Sequence, residues 1–280
     1  MRRALTFVGV LLGLAGVVAG SAGDAAASGF QLLEQNASGL GNAYAGTAAS
    51  AEDASTAFFN PAGMSLLPGV SVATSLVAVR PSAKFSNNGS TSSLGPAILG
   101  TDNGGDASDW AYLPGLYYVH SVGPSWALGL GVNAPFGLKT EYDQNWIGRF
   151  QAIRSELLTL AITPVVSYRI TESLSVGVGV RVQRADAELR TAADPRDPTG
   201  AVQSLVRGDD WGLGVSAGMM WQITGATRVG LAYQSQIKHT ISGELTSPLG
   251  VTPIEASITL PDIVTLSVVH QLSPSWELLA

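Results

Sequence analysis

Three histidines, His120, His239 and His270, and no cysteine are what this 280-residue chain offers for nucleophilic or metal chemistry. The missing cysteine excludes thiolate zinc sites, disulfide scaffolds and cysteine nucleophiles. No histidine accompanies a G-x-S-x-G elbow or another nucleophile setting. No two stand at metal-ligand spacing. They read as strand-end or interfacial histidines, the chain reads as a non-enzyme, and nothing in it calls for a cofactor. One short run keeps a distinct physical character, Asn60-Pro61-Ala62-Gly63. Pro61 fixes its own φ and lacks a donor, while Asn60 can cap a helix or hold an unusual turn. A plain surface turn would explain the Asn-Pro pair equally well.

The elements around these residues alternate with period two. Trp211, Leu213, Val215, Ala217, Met219, Trp221 and Ile223 interleave with glycine, serine, Met220 and Gln222. Leu174, Val176, Val178, Val180 and Val182 interleave with Ser175, Gly177, Gly179, Arg181 and Gln183. Residues 126–134, 158–170 and 229–234 alternate similarly, and 70–80, 110–120 and 258–272 do so more weakly. Each run is a strand with one apolar face. A soluble sandwich would carry lysine and glutamate on the other face. Here that face is glycine, serine, alanine and glutamine, which suits a crowded or wet barrel interior. Only 13% of residues are charged, against roughly 25% in an ordinary soluble domain. The net charge of −6 without a basic stripe argues against a nucleic-acid partner. Runs of about ten residues with aromatics near their ends fit tilted strands of an outer-membrane barrel. The links fit too: short at 121–124, 171–172 and 224–225, long and polar at 82–108, 138–154 and 185–207.

The ends differ from the middle. Met1-Arg2-Arg3, an uncharged apolar run and Ala25-Ala26-Ala27 make a secretory signal peptide over residues 1–27, with cleavage after Ala27. Residues 28–68 do not alternate. Their alanine-rich stretch at 47–57 favours short helix broken by glycine and proline. They read as a flexible tail or as a plug folded inside a barrel. Residues 69–280 form the partial barrel. Eight strands are countable, and Ser275-Trp276-Glu277-Leu278-Leu279-Ala280 reads as the start of a ninth. Eight strands would enclose only their own side chains. The expectation is therefore part of a larger barrel.

Specific motifs sharpen this. Gly29-Phe30-Gln31-Leu32, Ser38-Gly39-Leu40-Gly41, Ala43-Tyr44, Gly46 and Asn60-Pro61-Ala62 stand in the order and spacing of one family's N-terminal hatch. Asn133-Ala134-Pro135-Phe136-Gly137-Leu138, Trp146-Ile147-Gly148-Arg149-Phe150, Trp211-Gly212-Leu213-Gly214 and Leu260-Pro261-Asp262 continue the match. The chain resembles the FadL family, outer-membrane transporters of long-chain fatty acids, toluene and other hydrophobic compounds. The resemblance implies an all-β antiparallel transmembrane barrel of fourteen strands, of which eight to nine are present, with a hatch of short helices in the lumen. It implies passive uptake of a long-chain fatty acid or an aromatic or aliphatic hydrocarbon, with lateral release into the membrane. It makes Asn60, Pro61, Ala62 and Gly63 the hatch or gating residues. It places the mature amino terminus, Ser28, Gly29 and Phe30, near the ligand pocket. A carboxylate cargo would want a cation, and Arg181, Arg190 and Arg207 are the candidates, with Arg190 taken into the pocket set. The implied partners are outer-membrane lipid and lipopolysaccharide and the barrel assembly machinery, and the implied state is a monomer. The rival reading is a general porin or a structural barrel without specific cargo.

Overall fold

The computed structural model describes residues 30–91, 102–197 and 199–280. Residues 1–27, expected to be a signal peptide, and Ser28 and Gly29 lie outside the described residues. Twelve strands form one antiparallel sheet. They are β1 (Val70–Val79), β2 (Ala111–Val122), β3 (Trp126–Asn133), β4 (Gly137–Glu141), β5 (Arg154–Arg169) and β6 (Leu174–Ala192). β7 (Gln203–Thr224), β8 (Thr227–Gln234), β9 (Ile237–Ser247), β10 (Gly250–Leu260), β11 (Ile263–Ser273) and β12 (Trp276–Leu279) follow. Three pairs are single strands with a break. β3 and β4 both pair with β5, β8 and β9 both pair with β7, and β10 and β11 run along β9 and β8. Two of these breaks contain a proline, Pro135 and Pro261, which cannot donate to a ladder. Counted this way there are nine rungs, the last one short, as the alternation indicated. The sheet is open, with β1 and β12 at its edges.

The two faces divide by chemistry. Leu213, Leu76, Val264, Trp126 and Trp221 are exposed on one. Gly177, Gly218, Ser167 and Ser175 lie on the other. On the apolar face of β7, Trp221 and Trp211 stand ten residues apart. At about 3.3 Å per residue and a tilt near 40°, that is about 25 Å of height, the apolar band of an outer-membrane barrel. At the short-link end Trp126 packs against Tyr168, ring centroids 4.6 Å apart and planes tilted by 45°, an interfacial aromatic pair.

The sheet continues past this band, and here the structure corrects the sequence reading. The sequence pattern predicts a long link over 185–207. Instead β6 runs to Ala192 and β7 starts at Gln203, leaving only 193–202. Likewise β4 takes Gly137–Glu141 out of the link at 138–154. The cause is charge pairing across strands. Lys139, Glu156, Glu188, Arg207 and Glu244 stand in register on five neighbouring strands. Glu188 meets Arg207 and Arg190 at 2.7 Å and Arg154 at 3.3 Å. Lys139 faces Glu156 and Arg207 faces Glu188 and Glu244, opposite charges that support a sheet much as apolar pairs do, while Arg154 bridges the like-charged Glu156 and Glu188. The β9–β10 hairpin was not expected at all, because its outward row is polar, with Thr240, Ser242 and Glu244 where β5 to β7 carry leucine and valine.

Candidate functional site

The N-terminal segment lies on the glycine-rich face. It is built from tight turns: a 3-10 turn at Ser38–Asn42, helical turns at Thr47–Ser50 and Thr56–Phe59, and a 3-10 turn at Pro61–Leu66. Small residues let it lie flat. Ala48, Ala49, Ala54 and Ala62 are fully buried. Tyr44 braces the first turn through a hydroxyl donated to Asn36 O at 2.7 Å. Burial and then Glu34 push that phenol up to about 12, so it stays a donor.

The strand glycines mark where the segment touches the wall. A Cβ on Gly177 would collide with the Pro61 carbonyl carbon and Ala62 N, and one on Gly218 with Asn60 Oδ1. On Gly129 it would meet Met64 Sδ, on Gly115 Gln35 O at 2.8 Å, and on Gly230 Ala48 O. The glycines of β2, β6 and β8 thus receive backbone of the segment and those of β3 and β7 receive the Met64 and Asn60 side chains, a use that requires the missing side chain.

Asn60, Pro61, Ala62 and Gly63 are all buried, so the surface-turn reading does not hold. Asn60 is the N-cap of the last turn: its Oδ1 accepts from Ala62 N at 3.1 Å. Its Nδ2 donates to Ala48 O at 2.6 Å and to Met219 O on β7 at 3.0 Å. Pro61 takes the first helical position, where no donor is needed. Ala62 O accepts from Ser175 Oγ on β6 at 2.9 Å and from Ser167 Oγ on β5 at 3.2 Å. Gly63 fits between Ala51, Thr56 and Met220. Four consecutive residues therefore tie the segment to three adjacent strands.

A second attachment lies at the β3–β4 break. There residues 134–136 face only two residues of β5, so one is extra. The start of the described chain fills the break. Leu32 N donates to Pro135 O and Gly137 N donates to Phe30 O, both at 3.0 Å. Gln31 bridges Phe136, and the Phe30 ring meets Phe136 edge-on at 6.3 Å. Gln35 adds Nε2 to Ala134 O at 3.0 Å and accepts from Asn133 Nδ2 at 2.7 Å.

The three arginines part company. Arg190 and Arg207 stand on the face that carries Val178 and Leu213, paired with Glu188 beyond the apolar band. They do not join Phe30. Arg181 is on the glycine-rich face and buried, with Nη1 donating to Ser235 O at 3.3 Å. His239, read as a strand-end or interfacial residue, is instead fully buried between Asp210 and Gln183. The alternation at 229–234 stops before it, so periodicity gave no sign of its place. Among the described residues no group of three His, Asp or Glu could hold a metal ion.

The comparisons agree with this architecture. Residues 18–280 match the family model described as outer membrane protein transport protein (OMPP1/FadL/TodX). Outer membrane protein P1 of Haemophilus influenzae is 33% identical, over 90% of this chain and 64% of that protein. The long-chain fatty acid transport protein of Escherichia coli is 25% identical, over 90% and 65%. The chain thus spans under two thirds of these relatives' length. Among solved structures, a Pseudomonas aeruginosa FadL homologue superposes with a TM-score of 0.69 at 23% identity, over 88% of this chain and 67% of that one. The Ralstonia pickettii toluene transporter TbuX gives 0.52 at 20%, over 79% and 64%. An all-β sheet with an apolar band about 25 Å high, its N-terminal segment tied to the opposite face, and this match along nearly the whole length identify the chain as an outer-membrane protein of the OMPP1/FadL/TodX family.

Proposed function

We propose that this chain forms the hatch and part of the wall of a channel for passive uptake of long-chain fatty acids or other hydrophobic compounds. Residues 28–68 are the hatch of the exported protein, and residues 1–27 are removed. The observation that carries the reading is the double attachment of this segment. Asn60–Gly63 tie it to β5, β6 and β7, while Phe30–Leu32 fill the break in β3–β4. A segment that completes the wall at one point is a movable stopper there. Withdrawing Phe30–Leu32 leaves Pro135 O and Gly137 N free and opens a lateral exit beside Pro135. The physics suits apolar cargo. Transfer from water to an apolar path is favourable by roughly 25 cal/mol per Å² buried, and sideways release spares the cargo re-exposure to water. No bond changes and no cofactor is required. The barrel is a monomer inserted by the assembly machinery, with lipopolysaccharide around its outer edge.

The test is uptake of radiolabelled oleate and toluene by cells with and without the protein. Faster entry of either, with little ion conductance from the purified protein, supports the reading. Conductance of ions without any gain in uptake would make the protein a general porin.

A further inference from the structure

The sheet is interrupted a second time, between β7 and the β8–β9 strand. β8 pairs with β7 from Thr224 to Ser216, and β9 pairs with it again from Asp209 to Leu205. Residues 210–215 have no ladder partner on that side. An extra residue is the cause. Ser235 and Gln236 stand where β7 offers only Val215. Ser235 N donates to Val215 O, and Ser235 Oγ accepts from Val215 N, both at 2.9 Å. Gln236 N turns away to Asp262 Oδ1 at 3.0 Å. A bulge of this kind bends its strand and disrupts the ladder.

Above the bulge, side chains hold the strands together. Asp210 Oδ2 accepts from Thr240 N at 3.0 Å and lies 3.1 Å from His239 Nδ1. His239 Nε2 lies 3.0 Å from Gln183 Oε1. A Cβ on Gly214 would meet Ile237 at 2.7 Å, and one on Gly212 would meet Ile237 and the His239 ring. Because β7 offers glycine at both positions, one isoleucine and one imidazole form the seal.

This seam shares its rows with the β3–β4 break: Asn133, Ala161, Gln183 and Gly212 run in register across β3, β5, β6 and β7. Backbone fills the first interruption, whereas only side chains fill the second. Buried polar atoms beside it lack partners: Arg181 Nη2, Gln183 Nε2 and Ser216 Oγ. Arg181 stands opposite Gly214 and reaches over it to Ser235 O, and Gln183 stands opposite Gly212 and reaches over it to His239. Native interiors seldom leave such groups unpaired. Among the described residues Arg181 has no carboxylate at ion-pair distance and makes only the Ser235 hydrogen bond.

We propose that this seam is a second lateral passage through the wall, for an apolar chain with an acceptor head group of the carboxylate kind. The inference rests on the transport reading above. Swinging Ile237 off Gly212 and Gly214 opens a slot where no ladder bond has to break. Arg181 Nη2 and Gln183 Nε2 then meet the head group, and the exposed Leu213 and Trp211 receive the tail on the lipid side.

The test locks the seam. Leu213 and Lys238 face one another on its lipid side, in the register set by Asp209–Ser242 and by the Gly212–His239 and Gly214–Ile237 contacts. Leu213→Cys with Lys238→Cys can close a disulfide in a chain without other cysteines. Val178→Cys with Ala217→Cys, partners in the unbroken β6–β7 ladder, is the control. Cells producing each variant receive radiolabelled oleate or toluene. The oxidised seam pair should lose most oleate uptake, regain it with reductant and keep toluene uptake, while the control is indifferent to oxidation. Oleate uptake unchanged by the closed disulfide overturns the proposal, and parallel loss of toluene overturns the head-group assignment. Wild-type cells that admit neither probe would refute the transport reading instead. Amide exchange then decides the seam alone. Leu213 and Lys238 should exchange faster than Val176 and Val178, and equal protection overturns the passage.

Discussion

Replacing Asn60 with alanine should free the hatch from the wall while leaving the barrel standing. Asn60 is fully buried and makes three hydrogen bonds: to Ala48 O, to Met219 O and from Ala62 N. Each buried bond contributes about 1 kcal/mol net, and the stranded Ala48 and Met219 carbonyls keep their desolvation penalty. The docked segment therefore loses about 3 kcal/mol, about 1 of it at the wall through Met219 O and the rest inside the segment, equivalent to roughly a hundredfold rise in its local opening. The strands take no part, because their ladders and lipid faces do not involve this side chain. Asn60→Ser keeps an acceptor for Ala62 N and should recover about 1 kcal/mol of the loss. The assay is amide exchange of Ala49, Asn60 and Gly63, whose N–H groups bond to Gly46 O, Thr56 O and Asn60 O within the segment. Heat-modifiable mobility on a gel reports the barrel in parallel. Unchanged exchange at all three amides in Asn60→Ala would refute the reasoning. Lost barrel mobility would show that the motif serves assembly instead.

Other substitutions probe the same contact. Gly177→Val should push Pro61 and Ala62 off β6 at a cost of about 1–3 kcal/mol, read as faster proteolysis of the hatch. Gly225→Ala, with no heavy atom within 4 Å of its Cβ, should be silent. Pro61→Ala should lower hatch stability only by about 0.4–1 kcal/mol through unfolded-state entropy, yet change oleate uptake at matched outer-membrane levels. In the β6–β7 link, Asp197 accepts from Thr199 and Val202, which hold its carboxyl down to about 2. A depressed folded value means this contribution is present above the unfolded value near 4 and is lost as pH falls toward 2. Amide exchange of Val202 should therefore quicken over that window, and Asp197→Asn should remove the pH dependence.

How much was legible follows from what each pattern depends on. β5, β6 and β7 alternate strongly because lipid on one side and a crowded lumen on the other both select residues at every second position. Above Lys238 the β9–β10 hairpin turns Thr240, Ser242 and Glu244 outward, so the apolar outer row that marks a spanning strand is missing. The extensions of β6 and β7 were missed because Arg184, Asp186, Glu188 and Arg190 look like a solvated loop until their partners at 207 and 209 are known. The glycines of the inner face were visible as a composition. That Gly177 and Gly218 receive Pro61 and Asn60 depends on pairing between elements over a hundred residues apart. His239 and Gln183 carried no local signal, since they meet across β7 only because a bulge precedes His239 on its own strand.

The central claim is that the N-terminal segment is a hatch whose movement admits cargo. A cross-link between hatch and wall tests it most directly. A Cβ on Gly218 would stand 3.0 Å from Asn60 Cγ, so Asn60→Cys with Gly218→Cys places two thiols across that contact. Oleate uptake should stop when the pair is oxidised and return with reductant. Uptake that continues at the wild-type rate through a fully cross-linked protein would contradict the account.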